Sequence, residues 1–401
     1  MINDLLDSFL RLKLYCETEQ YKGWDVGDSI ASPLLTKSFL GQVPFVRFVM
    51  QQLTGHRIGY FNIRPILCVP KFLNAKGVAL FLNGYCNLHD IVRQNPDALK
   101  PLSADGCTRK ITEVAELLIS LRSPGLQSSG WGYPGGWQGR NFFFPPNTPT
   151  VVASSFAVDA LSHAYEITRN ERYKEEVLKT ADFVLKDLHR SPYKNGFLFS
   201  YSQYKGNDKV FNASLLGARI LLQCYRFSGD DEYRTIAKQA IDTCVEAQQE
   251  DGSWVYGCGK TQGWIDNFHT GYNLEAIQTY HDITGEYIYT DALNKGAAFM
   301  LKNHFDEHHV PKYYHNQQYP IDIHCCGEIF VVLHKLNIFE ENERLADDVW
   351  NWTRANMQDK KGYFYFQKHK WMTNKTPYMR WSNAFMFNAL SYYLKDRLQL
   401  R

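Results

Sequence analysis

The residues best suited to chemistry gather in one stretch of this 401-residue chain, Gly252 to Tyr272, where Trp254, Tyr256 and Trp264 precede Asp266, Asn267 and His269. Aromatic rings stack on the apolar faces of a pyranose, and a carboxylate beside an imidazole orients and moves protons. Asp266 and Asn267 stand where a helix is capped, so capping and function are both open for them. His269 falls in the first turn that follows, where the helix N-terminus favours a neutral imidazole able to accept a proton. A histidine packed and satisfied in the helix wall is the alternative. Comparable sets recur further on: Tyr313, Tyr314 and His315 precede Asp322, His324, Cys325 and Cys326, and Tyr363, Tyr365, Trp371 and Tyr378 precede Arg380 and Trp381. Earlier, Trp131, Tyr133, Trp137, Gln138 and Arg140 lead into the stretch from Thr148 to Ser155. Any single aromatic here reads most simply as loop core, whereas the whole set reads as a ligand groove.

These residues sit at corresponding places in a repeat. Segments starting at Ser154, Asn212, Phe268, Asp322 and Arg380 resemble one another and lie 54 to 58 residues apart, a length that holds two helices and their connections. Between them come aromatic glycine loops: Gly130-Trp131-Gly132-Tyr133, Gly196-Phe197-Leu198-Phe199, Gly252-Ser253-Trp254-Val255-Tyr256 and Gly362-Tyr363-Phe364-Tyr365. The first helix of each unit is apolar nearly all round with Ala, Gly and Ser interleaved, which suits burial on every side. The second alternates apolar residues at three and four spacing with Lys, Asp and Glu, and so presents a wet face. The pattern predicts an all-α, two-layered (α/α)6 toroid with short aromatic hairpin-like loops gathered at one mouth. Residues 74–401 carry the hairpins, and 1–73 form an N-terminal helical segment that closes or caps the ring. Six inner helices and five outer ones leave one outer place open, which Phe39 to Thr54 could fill; the same segment also reads as a first inner helix.

Composition fits one large domain, with 44% hydrophobic and 15% aromatic residues and no linker or charge run dividing the chain. A formal charge of +2 gives no reason to expect a nucleic-acid or membrane surface. The first fifteen residues mix Asp4, Asp7, Arg11 and Lys13 into an apolar pattern, as an amphipathic helix does and a signal peptide does not. No apolar run of about 18 residues is present to span a bilayer. Nine cysteines, an odd and scattered set, suit a reducing compartment and buried thiols, so a cytoplasmic location is expected.

The hairpin period, the glycine loops and the acidic or histidine residues at inner-helix starts resemble the α/α-toroid superfamilies. These include six-hairpin glycosidases, uronate lyases and epimerases, and, more distantly, squalene-cyclase and prenyltransferase rings. The segment from Gly130 to Ser155, with Trp137-Gln138 and Pro149-Thr150, resembles bacterial toroids associated with polysaccharide biosynthesis. The resemblance implies a carbohydrate-active protein, a uronate-type epimerase or lyase or a glycosidase, with an oligo- or polysaccharide as partner; a non-catalytic glycan-binding ring is the alternative. The expected roles are His269 and Tyr314 in proton transfer, Asp266 and Asp322 as carboxylates that orient or act as acid, and Arg380 as the clamp for an acidic sugar. Trp131, Tyr133, Trp137, Trp254, Tyr256, Trp264, Asn267, His324 and Trp381 would line the groove. No Asp-rich motif of the terpenoid rings is present. Lanthionine-synthetase cyclases share the toroid and bind zinc through Cys and His, and Cys258, His269, His324, Cys325 and Cys326 fall in comparable regions. The Trp-Cys and Cys-His-Gly signatures of that family are absent, so no metal is expected. Nor does any Rossmann or P-loop pattern imply a nucleotide cofactor.

Overall fold

The computed structural model describes residues 2–55, 62–138 and 143–399; Arg140 lies outside them. In chain order the helices are α1 (Ile2–Thr18), α2 (Pro33–Thr36), α3 (Pro44–Leu53), α4 (Ala75–Gln94), α5 (Ala104–Ser120), α6 (Val151–Thr168) and α7 (Glu171–Asp182). They continue with α8 (Phe211–Ser228), α9 (Asp231–Val245), α10 (Asn267–Thr284), α11 (Thr290–Asn303), α12 (Ile323–Lys335), α13 (Glu343–Met357) and α14 (Phe385–Arg397). The even-numbered helices from α4 to α14 form the inner layer, each packed on the next, with α14 returning to α4 to close the ring. Most residues of these helices are buried, as their interleaved Ala, Gly and Ser require for close approach. Inner-to-outer turns are tight. Gly229 and Gly285 end α8 and α10 at φ 71°, a left-handed conformation open to glycine at little cost, and each N–H bonds back to a carbonyl of the last turn.

Five outer helices, α5, α7, α9, α11 and α13, follow their inner partners in sequence. The sixth outer place belongs to α1, which packs on α14 and buries Leu5, Phe9, Leu12 and Cys16. Phe39 to Thr54 does not fill it. That stretch is a single 3₁₀ turn over Phe39–Gln42 followed by α3, which lies against the Asp28–Ala31 turn and the Trp137 strand. The reason is the face that α3 buries: Gln51 goes inward while Phe45 and Val49 point out, so the helix offers no apolar stripe to an inner helix.

The loops before the inner helices carry the small sheets. β1 (Trp137–Gln138) pairs with β2 (Phe143–Phe144), and β3 (Arg190–Tyr193) with β4 (Gly196–Phe199). β5 (Ile321–Asp322), β6 (Gln367–Lys368) and β7 (Thr373–Asn374) form an antiparallel sheet in that order. Residues between α1 and α4 reach over this mouth. Arg64 pairs with buried Asp28 at 2.8 Å and donates to the Tyr378 hydroxyl at 2.7 Å, and Asn74 Nδ2 donates to Asp25 at 2.9 Å. Among the described residues no helix is long and apolar enough to cross a membrane.

Candidate functional site

Four of the six inner-helix starts point a polar side chain at the mouth as a cap. Asn74, Thr150, Asp266 and Asp322 accept hydrogen bonds from the first free N–H groups of α4, α6, α10 and α12. At α10 the cap does more. Asp266 accepts from His269 N at 3.0 Å, lies 2.8 Å from His269 Nδ1 and accepts from the Trp264 indole N–H at 2.9 Å. Burial would raise its carboxyl, but the facing His269 outweighs that and holds it below the ordinary value. An ionised carboxylate only accepts, so the hydrogen lies on His269 Nδ1, and Nε2 is the nitrogen turned away from the carboxylate. Nε2 has no partner among the described residues, and the side chain is 21% exposed. Beside it the Tyr256 and Trp264 rings stack at 4.5 Å, Tyr256 meets the His269 ring edge-on at 4.7 Å, and Trp264 is exposed. This pairs a directed imidazole with an aromatic platform.

A floor of rings runs inward from that dyad. Phe268 lies 4.3 Å from His269 and 4.6 Å from His324, and Trp381 lies 5.1 Å from His324. Arg380 sits over both Trp381 and Tyr133. The structure thus brings together Tyr133, Tyr256, Trp264, Asp266, His269, His324, Arg380 and Trp381. Beneath Phe268, Lys76 Nζ donates to the Tyr272 hydroxyl at 2.9 Å, and that oxygen is hydrogen-bonded to His324 Nε2 at 2.5 Å. Burial, then the nearby Arg380, pulls the Lys76 amine well below its usual range.

Several expected site residues take other places. Trp131 and Trp254 are plugs in the wall: both are buried, and their indoles donate to the Leu118 and Cys244 carbonyls behind the mouth. Trp137 stands on the outer rim in β1, beside Gly27. Asn267 is sealed at the first residue of α10. Tyr314 adjoins Asp266 through a backbone bridge, and its ring packs edge-on against Tyr313. Asp322 is fully buried and already bonded to His324 N, Gln367 and the Trp381 indole, so it positions Trp381 and does not reach the groove. Arg380 is no open clamp, since its fork holds Asp25 at 2.6 and 2.7 Å. Cys325 is buried and Cys258 exposed, and among the described residues no group of three or more His, Cys, Asp or Glu is arranged around a common metal position.

Sequence reasoning missed Lys76, Tyr272 and Asp25 as members of the site. A lone lysine near the start of a helix with no other Asp, Glu, Lys or Arg before Asp90, Asn74-Ala75-Lys76-Gly77-Val78-Ala79-Leu80-Phe81, was the available signal. Asp25 carried none, because its partner Arg380 lies at the other end of the chain.

This is a six-hairpin α/α toroid, and solved structures of the same shape are known. It is similar to cellobiose 2-epimerase from Bacillus thermoamylovorans (TM-score 0.61, 12% identity, 81% of this chain and 88% of that one). It is also similar to a family 76 glycoside hydrolase, a mannosidase, from Bacteroides thetaiotaomicron (TM-score 0.55, 11% identity, 81% and 88%). An unsaturated glucuronyl hydrolase specific for heparin matches at TM-score 0.54 and 13% identity, over 80% of this chain and 88% of that one. Likeness at these identities is likeness of fold. No protein-family model matches the chain, and no curated protein matches it in sequence.

Proposed function

We propose that this toroid is a carbohydrate-active enzyme that moves a proton at a sugar carbon beside a carbonyl, the chemistry of an epimerase or lyase. The observation that carries the reading is the Asp266–His269 dyad, with Nε2 open beside the Tyr256–Trp264 stack. Its relatives in shape include sugar epimerases and glycoside hydrolases, which supports a sugar as substrate. Hydrolysis calls for two carboxyl groups facing each other across the scissile bond. Here the carboxylates near the groove are engaged elsewhere: Asp266 with His269 and Trp264, Asp322 with Trp381 and Gln367, Asp25 with Arg380. Because Asp25 occupies the Arg380 fork, a neutral sugar fits better than a uronate.

In this scheme Trp264 and Tyr256 hold a pyranose or its open-chain form by its apolar face, and His269 Nε2 takes the proton from carbon and returns one. Asp266 stabilises the imidazolium that forms between those steps. The test is to incubate the protein with a panel of reducing oligosaccharides in D₂O and follow deuterium at the carbon next to the carbonyl by NMR. Incorporation should occur, should fall about 10²-fold or more in His269→Ala, and should be weakened chiefly through binding in Trp264→Ala. Glycosidic cleavage without carbon-bound deuterium, or glycan binding without turnover, would reject it.

A further inference from the structure

The segment between α1 and α4 carries a surface that neither ring closure nor the dyad uses. From Ser29 to His89 the sequence holds no Asp or Glu, although 42 of the 401 residues are acidic; of its cations Arg64 and Lys71 pair with Asp28 and Glu19 and Lys76 is buried at the mouth, which leaves Lys37 and Arg47 on the segment from 34 to 49. Within that stretch six large hydrophobic side chains are exposed over sixteen positions: Leu34, Phe39, Leu40, Val43, Phe45 and Val49. Phe39 and Phe45 are 76% and 74% exposed. Apolar clusters of this density on a surface mark an interaction site.

The segment is inside-out relative to an ordinary surface helix. Its polar groups hold it to the body: Arg47 Nε donates to Gln138 Oε1 at 2.9 Å, Gln51 Nε2 donates to the Gln138 carbonyl at 3.2 Å, and the Gln138 N–H donates to Gln51 Oε1 at 2.8 Å. The apolar side chains are turned outward instead. Lys37 is exposed, and neither it nor Arg47 is paired with a carboxylate among the described residues. The near-neutral whole-chain charge hides this local imbalance.

A short amphipathic segment with outward Phe, Leu and Val, cationic and free of carboxylates, is complementary to the headgroup region of an anionic bilayer. A protein groove would take the apolar face, but it gives no reason for acidic residues to be missing from the whole stretch. We infer that residues 34–49 form an interfacial docking patch for an anionic lipid surface. Asp25, a few residues upstream, is tied to Arg380 and Asn74 at the mouth, so docking would set the mouth near the lipid headgroups. If the sugar reading holds, a glycan displayed at a membrane comes within reach; the docking does not depend on it.

The test is flotation of the full-length protein with vesicles of phosphatidylcholine alone or mixed with phosphatidylglycerol, at low and high salt. Binding should favour the phosphatidylglycerol vesicles and weaken with salt. Replacing both phenylalanines, Phe39→Ser with Phe45→Ser, should reduce binding by roughly tenfold or more. Independently of any variant, hydrogen exchange on the native protein should slow over 34–49 when vesicles are added. Failure of the native protein to float with anionic vesicles, or equal flotation of the double variant, overturns the inference. So does a native dimer, seen by sedimentation, that the double variant converts to monomer without vesicle binding in either. Sugar turnover is read separately, so its loss or presence leaves this result intact.

Discussion

Burial lifts the Asp322 carboxyl to about 6, although the donors of Trp381, His324 and Gln367 point at it. The cause is desolvation: with no opposite charge beside it, the ionised form keeps only part of what water supplied. An acid whose folded pKa lies above its ordinary value of about 3.9 holds its proton more tightly in the fold than in the unfolded chain. Its contribution to stability is therefore fully present below about pH 4 and is lost as pH rises through 6. Asp322→Asn keeps the size and removes the titration. The stability of the native protein minus that of the variant should fall by about 2 kcal/mol between pH 4 and pH 7, most of it before pH 6. Urea unfolding of both proteins at unit pH steps measures it. A pH-independent difference would mean that the three donors compensate fully for burial.

At the scale of elements, the period read from sequence and the structure agree on inner and outer layers, because a helix buried on all sides and one with a wet face differ in composition along their whole length. Ring closure was not legible in the same way. Both α1 and the Phe39–Thr54 stretch are amphipathic, and periodicity does not say which face meets the protein. The same limit applies to the tryptophans: a Gly-rich loop places Trp131 and Trp254 near the mouth in sequence, yet whether an indole turns to the groove or finds a carbonyl behind it depends on helices far along the chain. Asp266 and His269 were legible because cap and imidazole lie three residues apart on one helix start, so local geometry alone joins them. The placement of α1 makes a direct contrast available. Phe9 is fully buried, with its ring 4.9 Å from Phe387, so Phe9→Ala should lower unfolding free energy by about 3–5 kcal/mol. Phe45→Ala, at an exposed position, should change it by about 0.5 kcal/mol or less. Comparable losses in the two variants would mean that α3, not α1, completes the outer layer.

Taken as a whole molecule, the ring is polar along its axis, which decides where a ligand can sit. Asp159, Glu275 and Glu328 meet Arg219, Lys335 and Lys76 in the lumen: Arg219 lies 3.2 Å from Asp159, and Lys335 Nζ donates to Glu275 at 2.6 Å. The space lined by Asp159, Arg219, Glu275 and Lys335 is about 20 Å³, room for about one water and not for a sugar. A larger cavity of about 320 Å³ opens at the far end of the ring, between the ends of α12 and α14, remote from His269. In the proposed sugar reading the substrate therefore sits at the mouth, above Phe268, because the lumen has no room for it. The lumen charges are unequal in kind. Burial would raise both buried glutamates, but Lys335 and Arg219 hold Glu275 ionised, whereas burial and the facing Glu275 keep Glu328 protonated. Glu275→Gln then leaves the part-exposed Lys335 without a carboxylate and buried Arg219 with Asp159 alone, and should cost about 2–4 kcal/mol. Glu328→Gln exchanges one neutral group for another of the same shape and should stay within about 1 kcal/mol of the native protein. Chemical denaturation of the two variants reads the contrast, and turnover of whatever remains folded should be unchanged in both. Equal destabilisation would mean that Glu328 is ionised. Loss of turnover in a fully folded Glu328→Gln protein would place the lumen on the path of the transferred proton.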